Sequence, residues 1–416
     1  MWEDYRQRRK ITRLILLGVC VLLALALFIG VRYVSHQATI EEEENYAASQ
    51  QSQAEAAAAK AQLLEQLEAD YQQDLATIQK YIPGIVCWGD TITTGTVSGV
   101  SYASALEDLI EENITDLYDF RETLDYADRV SRVEWEDYTV EIPVINMGGG
   151  DESTGTILGR NGAAPYILSE ELTVPADCTE VRIKFTDSTG NSVNPLSVGD
   201  GGVNNVTIGG IEGTLSLDSA SYRSGHLYYY FTRLKPGRET VLEVGTEIIT
   251  AASDMYREDV AVIFIGTYGG YSDVDTLISQ IRAVIDHQTT NKDRYIVMSP
   301  YYYSDSYYGG DTSTFDKYET ALSQAFGEHY VNIRKYLISD ALDDAGLKAT
   351  TADTTQIKNG RVPDSLRSST NSIELSATAY RLIGRVIYDR MDQLGYFDEV
   401  KTELGLDKLP KTTEAK

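Results

Sequence analysis

The chain has 416 residues, 42% of them hydrophobic, enough for one large domain with appendages. Its net charge of −27 is unevenly placed: residues 1–37 hold six basic and two acidic side chains, a net of +4, which leaves −31 on the remainder. Such a field argues against nucleic acid as a partner. The three cysteines and four histidines show no metal-ligand spacing, so neither a metal nor another cofactor is expected. A Cys87–Cys178 bridge has no support in the spacing, and Cys87 suits a core strand as a free thiol.

Residues 1–13 form a basic tail, and Leu14 to Val31 follow as eighteen residues without a charge. As a helix they span about 27 Å, enough to cross a bilayer core. Basic residues precede this stretch and four acids (Glu41–Glu44) follow it. By the positive-inside rule the expected protein is a single-pass cell-membrane protein, N-terminus cytoplasmic and C-terminal domain extracytoplasmic. A cleaved signal peptide fits less well, because its apolar core is usually shorter and RYVSHQA is a weak cleavage site.

Residues 32–80 read as a helical stalk rich in Ala, Gln and Glu. Leu64, Leu67, Tyr71, Leu75 and Ile78 make one apolar stripe. That stripe suits either a short coiled coil, and so a dimer through the stalk, or final turns that pack on the domain beyond. Fully helical, its stretch from about Ile40 to Lys80 would measure roughly 60 Å.

Pro83-Gly84 ends the helical pattern. Then come Ile85–Trp88, a polar loop to about Ser101 and a helix over Tyr102–Ile114, the opening of an α/β sheet. Tyr138–Asn146 reads as a strand entering a Gly-rich turn, and Val260–Ile265 as a strand buried on both faces. Further on, a helix is expected over Val274–Asp286, a strand over Arg294–Met298 and a closing helix over Ala377–Leu394. Residues 164–250 break this rhythm with alternating segments separated by turn residues, the pattern of an all-β insertion, a small sandwich or barrel. The expected sheet domain therefore comprises 81–163 and 251–398, with a tail at 399–416.

Four blocks carry a family resemblance. CWGDTITTG at 87–95 resembles the first block of the SGNH (GDSL-like) hydrolases, NMGGGDEST at 146–154 the second, FIGTYGGYSD at 264–273 the third and VPDSLRSSTNSIELSATAYRLIG at 362–384 the last. The resemblance covers about residues 84–396 and is closest to a bacterial branch with a β-rich insert. It implies a flavodoxin-like parallel sheet flanked by helices and, in the family, acyl transfer by a Ser nucleophile. An Asp-oriented His activates that Ser beside an oxyanion hole of two amides and an Asn.

At these positions the chain departs from the family. Thr91 stands for the nucleophile, Glu374 for the His and Asn371 for the Asp, while Asp151 and Tyr268 stand at the oxyanion positions. The methyl that Thr carries and Ser lacks crowds attack by Thr91, a carboxylate is a weak base toward an alcohol, and a carboxylate at Asp151 repels a developing oxyanion. Ordinary Ser-esterase chemistry is therefore not expected, and the resemblance implies a pseudoenzyme.

Candidate ligand contacts at the sheet's carboxyl edge are Asp90, Glu152, Tyr301, Tyr303 and Tyr307, the tyrosines as faces for sugar rings. The acids Asp90, Asp151, Glu152 and Glu374 offer oxygen ligands for a hard cation should they converge, although turn hydrogen bonds and solvent suffice to explain them. Arg160 and Arg367 read either as groups near the site that pair with acids or bind an anionic ligand, or, the favoured reading, as surface partners of acids. The leading expectation is a membrane-held module binding a cell-envelope glycan or a partner protein. The alternatives are an esterase or acyltransferase acting on cell-surface carbohydrate through Thr91 and Glu374, and a scaffold assembling through its stalk.

Overall fold

The structure, a computed structural model, describes residues 2–96, 99–116, 140–218, 227–300, 313–369 and 374–408. Helix α1 (Trp2–Tyr81) is uninterrupted. Its N-terminal part holds one stretch long and apolar enough to cross a membrane, with mean hydropathy 3.1 over its best 18-residue window and none of that window buried. The chain forms two compact units, and their limit falls inside the helix: residues from Tyr71 onward belong to the globular unit. There Tyr71 and Ile78, with Ile82 just past the helix end, join the main core, and the Tyr81 carbonyl accepts from Arg294 Nη1 at 2.9 Å. The globular unit thus starts ten residues before the expected limit at residue 81, because the apolar stripe has a domain to pack on.

Five parallel strands make the central sheet: β1 (Ile85–Gly89), β2 (Val144–Gly148), β12 (Val260–Phe264), β13 (Tyr295–Met298) and β14 (Tyr330–Val331). Their order is β14-β13-β12-β1-β2. Counted along the sheet this is 2-1-3-4-5, the flavodoxin-like order, with its switch point between β1 and β12. Strand β2 begins at Val144, and residues 140–143 of the strand expected from Tyr138 stand outside the ladder, residues 138–139 lying outside the described residues. Pro143 has no N–H for the ladder and offers only its carbonyl, to the Ile85 amide at 2.9 Å.

Side chains alternate across the sheet. Ile85, Cys87, Val262 and Phe264 face one core; Val86, Trp88, Ala261 and Ile263 face the other. Over the first lie α2 (Thr91–Thr94), a single turn in the expected loop, and α3 (Tyr102–Ile110). The second is covered by α4 (Thr154–Asn161), α5 (Val274–His287) and α6 (Ser313–Phe326), and α7 (Ala377–Gln393) returns to the first. Burial on both sheet faces is why these strands read as continuous apolar runs.

Strands β3 (Tyr166–Leu168) to β11 (Glu247–Ile249) form the insertion. Seven of them pair antiparallel in one sheet and two in another. Both sheets contribute to one core, which holds Leu172, Val174 and Leu242 beside Tyr166, Ile208 and Phe231. Between β7 (Val206–Ile208) and β8 (Ile211–Leu217) the turn is Gly209-Gly210, with φ of 54° and 79°, the positive pair a two-residue hairpin requires. Cys87 is buried and Cys178 exposed, and both are free thiols.

A fragment beginning at Tyr71 is expected to unfold cooperatively, whereas one beginning at Pro83 loses the Ile78 contact and the Tyr81 carbonyl. Urea titration should show the shorter fragment weaker by about 3 kcal/mol or more. Equal midpoints would place the helix end outside the core.

Candidate functional site

The carboxyl ends of β1, β2 and β12 deliver three loops to the switch point. They are held close by backbone contacts: the Gly149 amide donates to the Gly89 carbonyl at 3.0 Å, and Thr154 donates through its amide to Gly269 O at 3.0 Å and through its hydroxyl to Gly270 O at 2.8 Å. Only glycine fits at 148, since a Cβ there would stand 2.4 Å from the Thr94 amide nitrogen.

Asp90 caps α2, its Oδ1 accepting from the Ile92 amide at 3.0 Å. It is fully buried, and Oδ2 has no hydrogen bond of standard geometry. Burial lifts this carboxyl to about 7, against the downward pull of the Ile92 amide and of the hydroxyl and amide of buried Thr267. Asp90 is therefore a loop-holding group, not a surface ligand.

Thr91 is half-buried, and its Oγ1 accepts from the Asp151 amide at 2.8 Å. The Asp151 carboxylate lies 3.4 Å from the same hydroxyl, a long contact. Asp151 adopts a left-handed conformation, φ 56°, and its side chain is exposed. In this conformation its amide turns toward Thr91. Tyr268 stands beside both residues. Burial chiefly raises its phenol far above the ordinary value, the Thr91 hydroxyl opposes, and the charges of Asp151 and Asp90 add to the rise. The phenol stays protonated and can donate.

Glu152, expected as a ligand contact, is turned inward. It is 4% exposed and forms a two-point pair with Arg160, Nη2 to Oε2 at 2.6 Å and Nε to Oε1 at 3.3 Å. Arg160, expected on the surface, is 1% exposed. It also donates to Met147 O at 2.9 Å and to Gly201 O at 3.1 Å, and it lies over the Trp88 ring at 5.4 Å. Arg367 is buried too, donating to Val362 O and paired with Asp364 at 3.2 Å. Both corrections have one cause: turn carbonyls and a nearby carboxylate replace water around the guanidinium.

Glu374 is half-buried in the last block, where its carbonyl accepts the Ser368 amide at 3.0 Å and Leu375 bridges to Arg367. Among the described residues no hydrogen bond joins Thr91 to Glu374; the Thr91 hydroxyl is engaged by Asp151 instead. Asn371, Tyr301, Tyr303 and Tyr307 lie outside the described residues. The acids do not converge on an ion: no three His, Cys, Asp or Glu side chains among the described residues could hold one.

Two contributions had no sequence signal. Asn194, from the insertion, accepts the Thr156 hydroxyl at 3.0 Å and donates to the Asp151 carbonyl at 3.5 Å. Val198 packs so close to Gly150 that a Cβ there would lie 2.9 Å from its Cγ1. The insertion therefore forms part of the site's wall. What results is a small cluster of neutral polar groups, Thr91, Tyr268 and the Asp151 amide that donates to Thr91, beside one exposed carboxylate. Such a set suits a hydroxyl-rich ligand better than a developing oxyanion.

Replacing Glu152 by Gln should destabilise the protein by about 3 kcal/mol or more in urea titration, since it leaves a buried guanidinium unpaired. Asp151→Asn, at an exposed side chain, should change stability by less than about 1 kcal/mol. The raised Asp90 carboxyl implies a pH dependence of fixed sign. Its folded value, about 7, exceeds the ordinary 3.8, so the native state binds the extra proton between them. Stability should fall as pH rises through that window and level off above it. Asp90→Asn should flatten this slope, and an unchanged slope would refute the assignment.

No family model matches the chain, and no curated protein or solved structure is significantly similar to it.

Proposed function

We propose that this chain is a membrane-anchored, SGNH-like pseudoenzyme whose extracytoplasmic domain binds a cell-envelope glycan. The anchor is the apolar stretch of α1, and the charge bias around it favours a cytoplasmic N-terminus. The SGNH-like reading rests on the four sequence blocks, and the 2-1-3-4-5 sheet order is compatible with it.

One observation carries the loss of catalysis. The Thr91 hydroxyl accepts the Asp151 amide at 2.8 Å, and the Asp151 carboxylate lies 3.4 Å from it, a charge that would repel an oxyanion forming beside Thr91. A nucleophile needs a base on its proton and donors on the substrate oxygen. Of the described histidines, His36 lies in α1, His287 contacts the Ser253 carbonyl and His329 contacts Tyr396 and the Tyr295 carbonyl. None touches Thr91.

The full-length protein in detergent is expected to hydrolyse p-nitrophenyl acetate no faster than its Thr91→Ala variant, and to leave Thr91 unlabelled by a fluorophosphonate probe. Turnover that disappears with Thr91→Ala would instead establish a Thr-dependent esterase or acyltransferase. Sedimentation with purified envelope polysaccharide tests the binding half of the proposal. Tyr268→Ala should weaken co-sedimentation, and no co-sedimentation of the unaltered chain would refute it.

A further inference from the structure

On another part of the sheet domain a groove of about 980 Å³ opens between α6 and the helix Ile333–Ser339, with Arg390 of α7 at its rim. None of its lining residues belongs to the Thr91 cluster. Its charge runs against the rest of the chain. Three cations line it, Arg334, Lys335 and Arg390, against two carboxylates, Asp316 and Glu319. Both carboxylates are engaged by Arg334: Asp316 at 2.7 Å through Nη2, and Glu319 through Nε and, at 3.0 Å, Nη2. The remaining Arg334 nitrogen, Nη1, donates to Gly360 O at 2.9 Å.

Lys335 and Arg390 are left over. Among the described residues neither has a carboxylate partner. Arg390 Nη1 rests on the carbonyls of Glu328 at 2.6 Å and Tyr330 at 3.5 Å, which orients the guanidinium without neutralising it. Ser323 and Gln324 add an exposed hydroxyl and amide to the same lining.

We propose that this groove binds a small hydroxylated anion, a sugar phosphate or a sugar acid. Lys335 and Arg390 meet the anionic group, and Ser323 and Gln324 meet hydroxyls. Size and charge both favour a small molecule. The volume matches a ligand pocket of ordinary dimensions. A chain of net charge −27 repels long polyanions, whereas a single phosphate or carboxylate experiences chiefly the two nearby cations, since charges beyond about 8 Å are screened at physiological salt. Arg and Lys both bind phosphate and carboxylate, so the two ligand types share one chemistry here.

Isothermal titration of the full chain in detergent with glucose 1-phosphate, glucuronate, glucose and inorganic phosphate tests the proposal. At least one of the two sugar anions should bind, and which one does identifies the anionic group. Glucose should not bind, and inorganic phosphate should bind more weakly than the preferred sugar anion. Lys335→Glu, at an exposed position, and Arg390→Gln should each weaken that binding roughly tenfold or more, with thermal melts confirming that the variants fold. Thr91→Ala should bind as the unaltered chain does, which separates this groove from the Thr91 site. The proposal fails if neither sugar anion binds, if Lys335→Glu binds equally well, or if inorganic phosphate or glucose binds as tightly.

Discussion

The buried Arg160–Glu152 pair is the contact on which the candidate site depends. Arg160 makes four hydrogen bonds with three separate pieces of chain: Glu152 in the turn after β2, Met147 in β2 itself, and Gly201 in the insertion. Its plane lies over Trp88 of β1. A guanidinium out of water tolerates few arrangements, because each donor left open carries a desolvation penalty. Fixing Glu152 constrains the residue before it. Asp151 is held in its left-handed conformation, and its amide is directed at Thr91. The geometry at Thr91 is thus tied to a buried charge pair.

Much of the sheet domain was legible in the sequence, because burial on both faces leaves a strong mark. Val260–Phe264 and Tyr295–Met298 stand within a residue of the runs read as strands, and α7 ends one residue before the expected limit. The misreadings came from longer-range effects. Pro143 kept residues 140–143 of an expected strand out of the ladder, and of the two readings open for the stalk's apolar stripe it is packing on the domain that holds from Tyr71 onward. A stripe of that length records that something covers it, and not what.

The site was less legible, and its chemistry was the weakest part. Thr91 and Asp151 were singled out through the family resemblance, and the structure shows that they touch. Nothing in the sequence separates a carboxylate that faces a ligand from one that faces a buried arginine eight residues away. Glu152 was read one way and stands the other. Arg160 carries no local sign of burial, since its acceptors include a carbonyl 41 residues distant. Asn194 reaches the Asp151 turn from inside the insertion, 43 residues on. Contacts of this kind belong to the folded chain, not to any window of sequence.

The insertion's two ends meet. The Thr250 hydroxyl donates to the Arg160 carbonyl at 2.6 Å across 90 residues of chain. An excursion whose entry and exit touch is topologically detachable: a short bridge between those points would leave the sheet's connectivity intact. Electrostatically it is not detachable, since the same Arg160 has Gly201 of the insertion as a hydrogen-bond acceptor. A variant of this fold with the β-rich segment excised would need a new carbonyl at that place, or neutral side chains in place of both Arg160 and Glu152. The graft is modular in its path and integral in its charge.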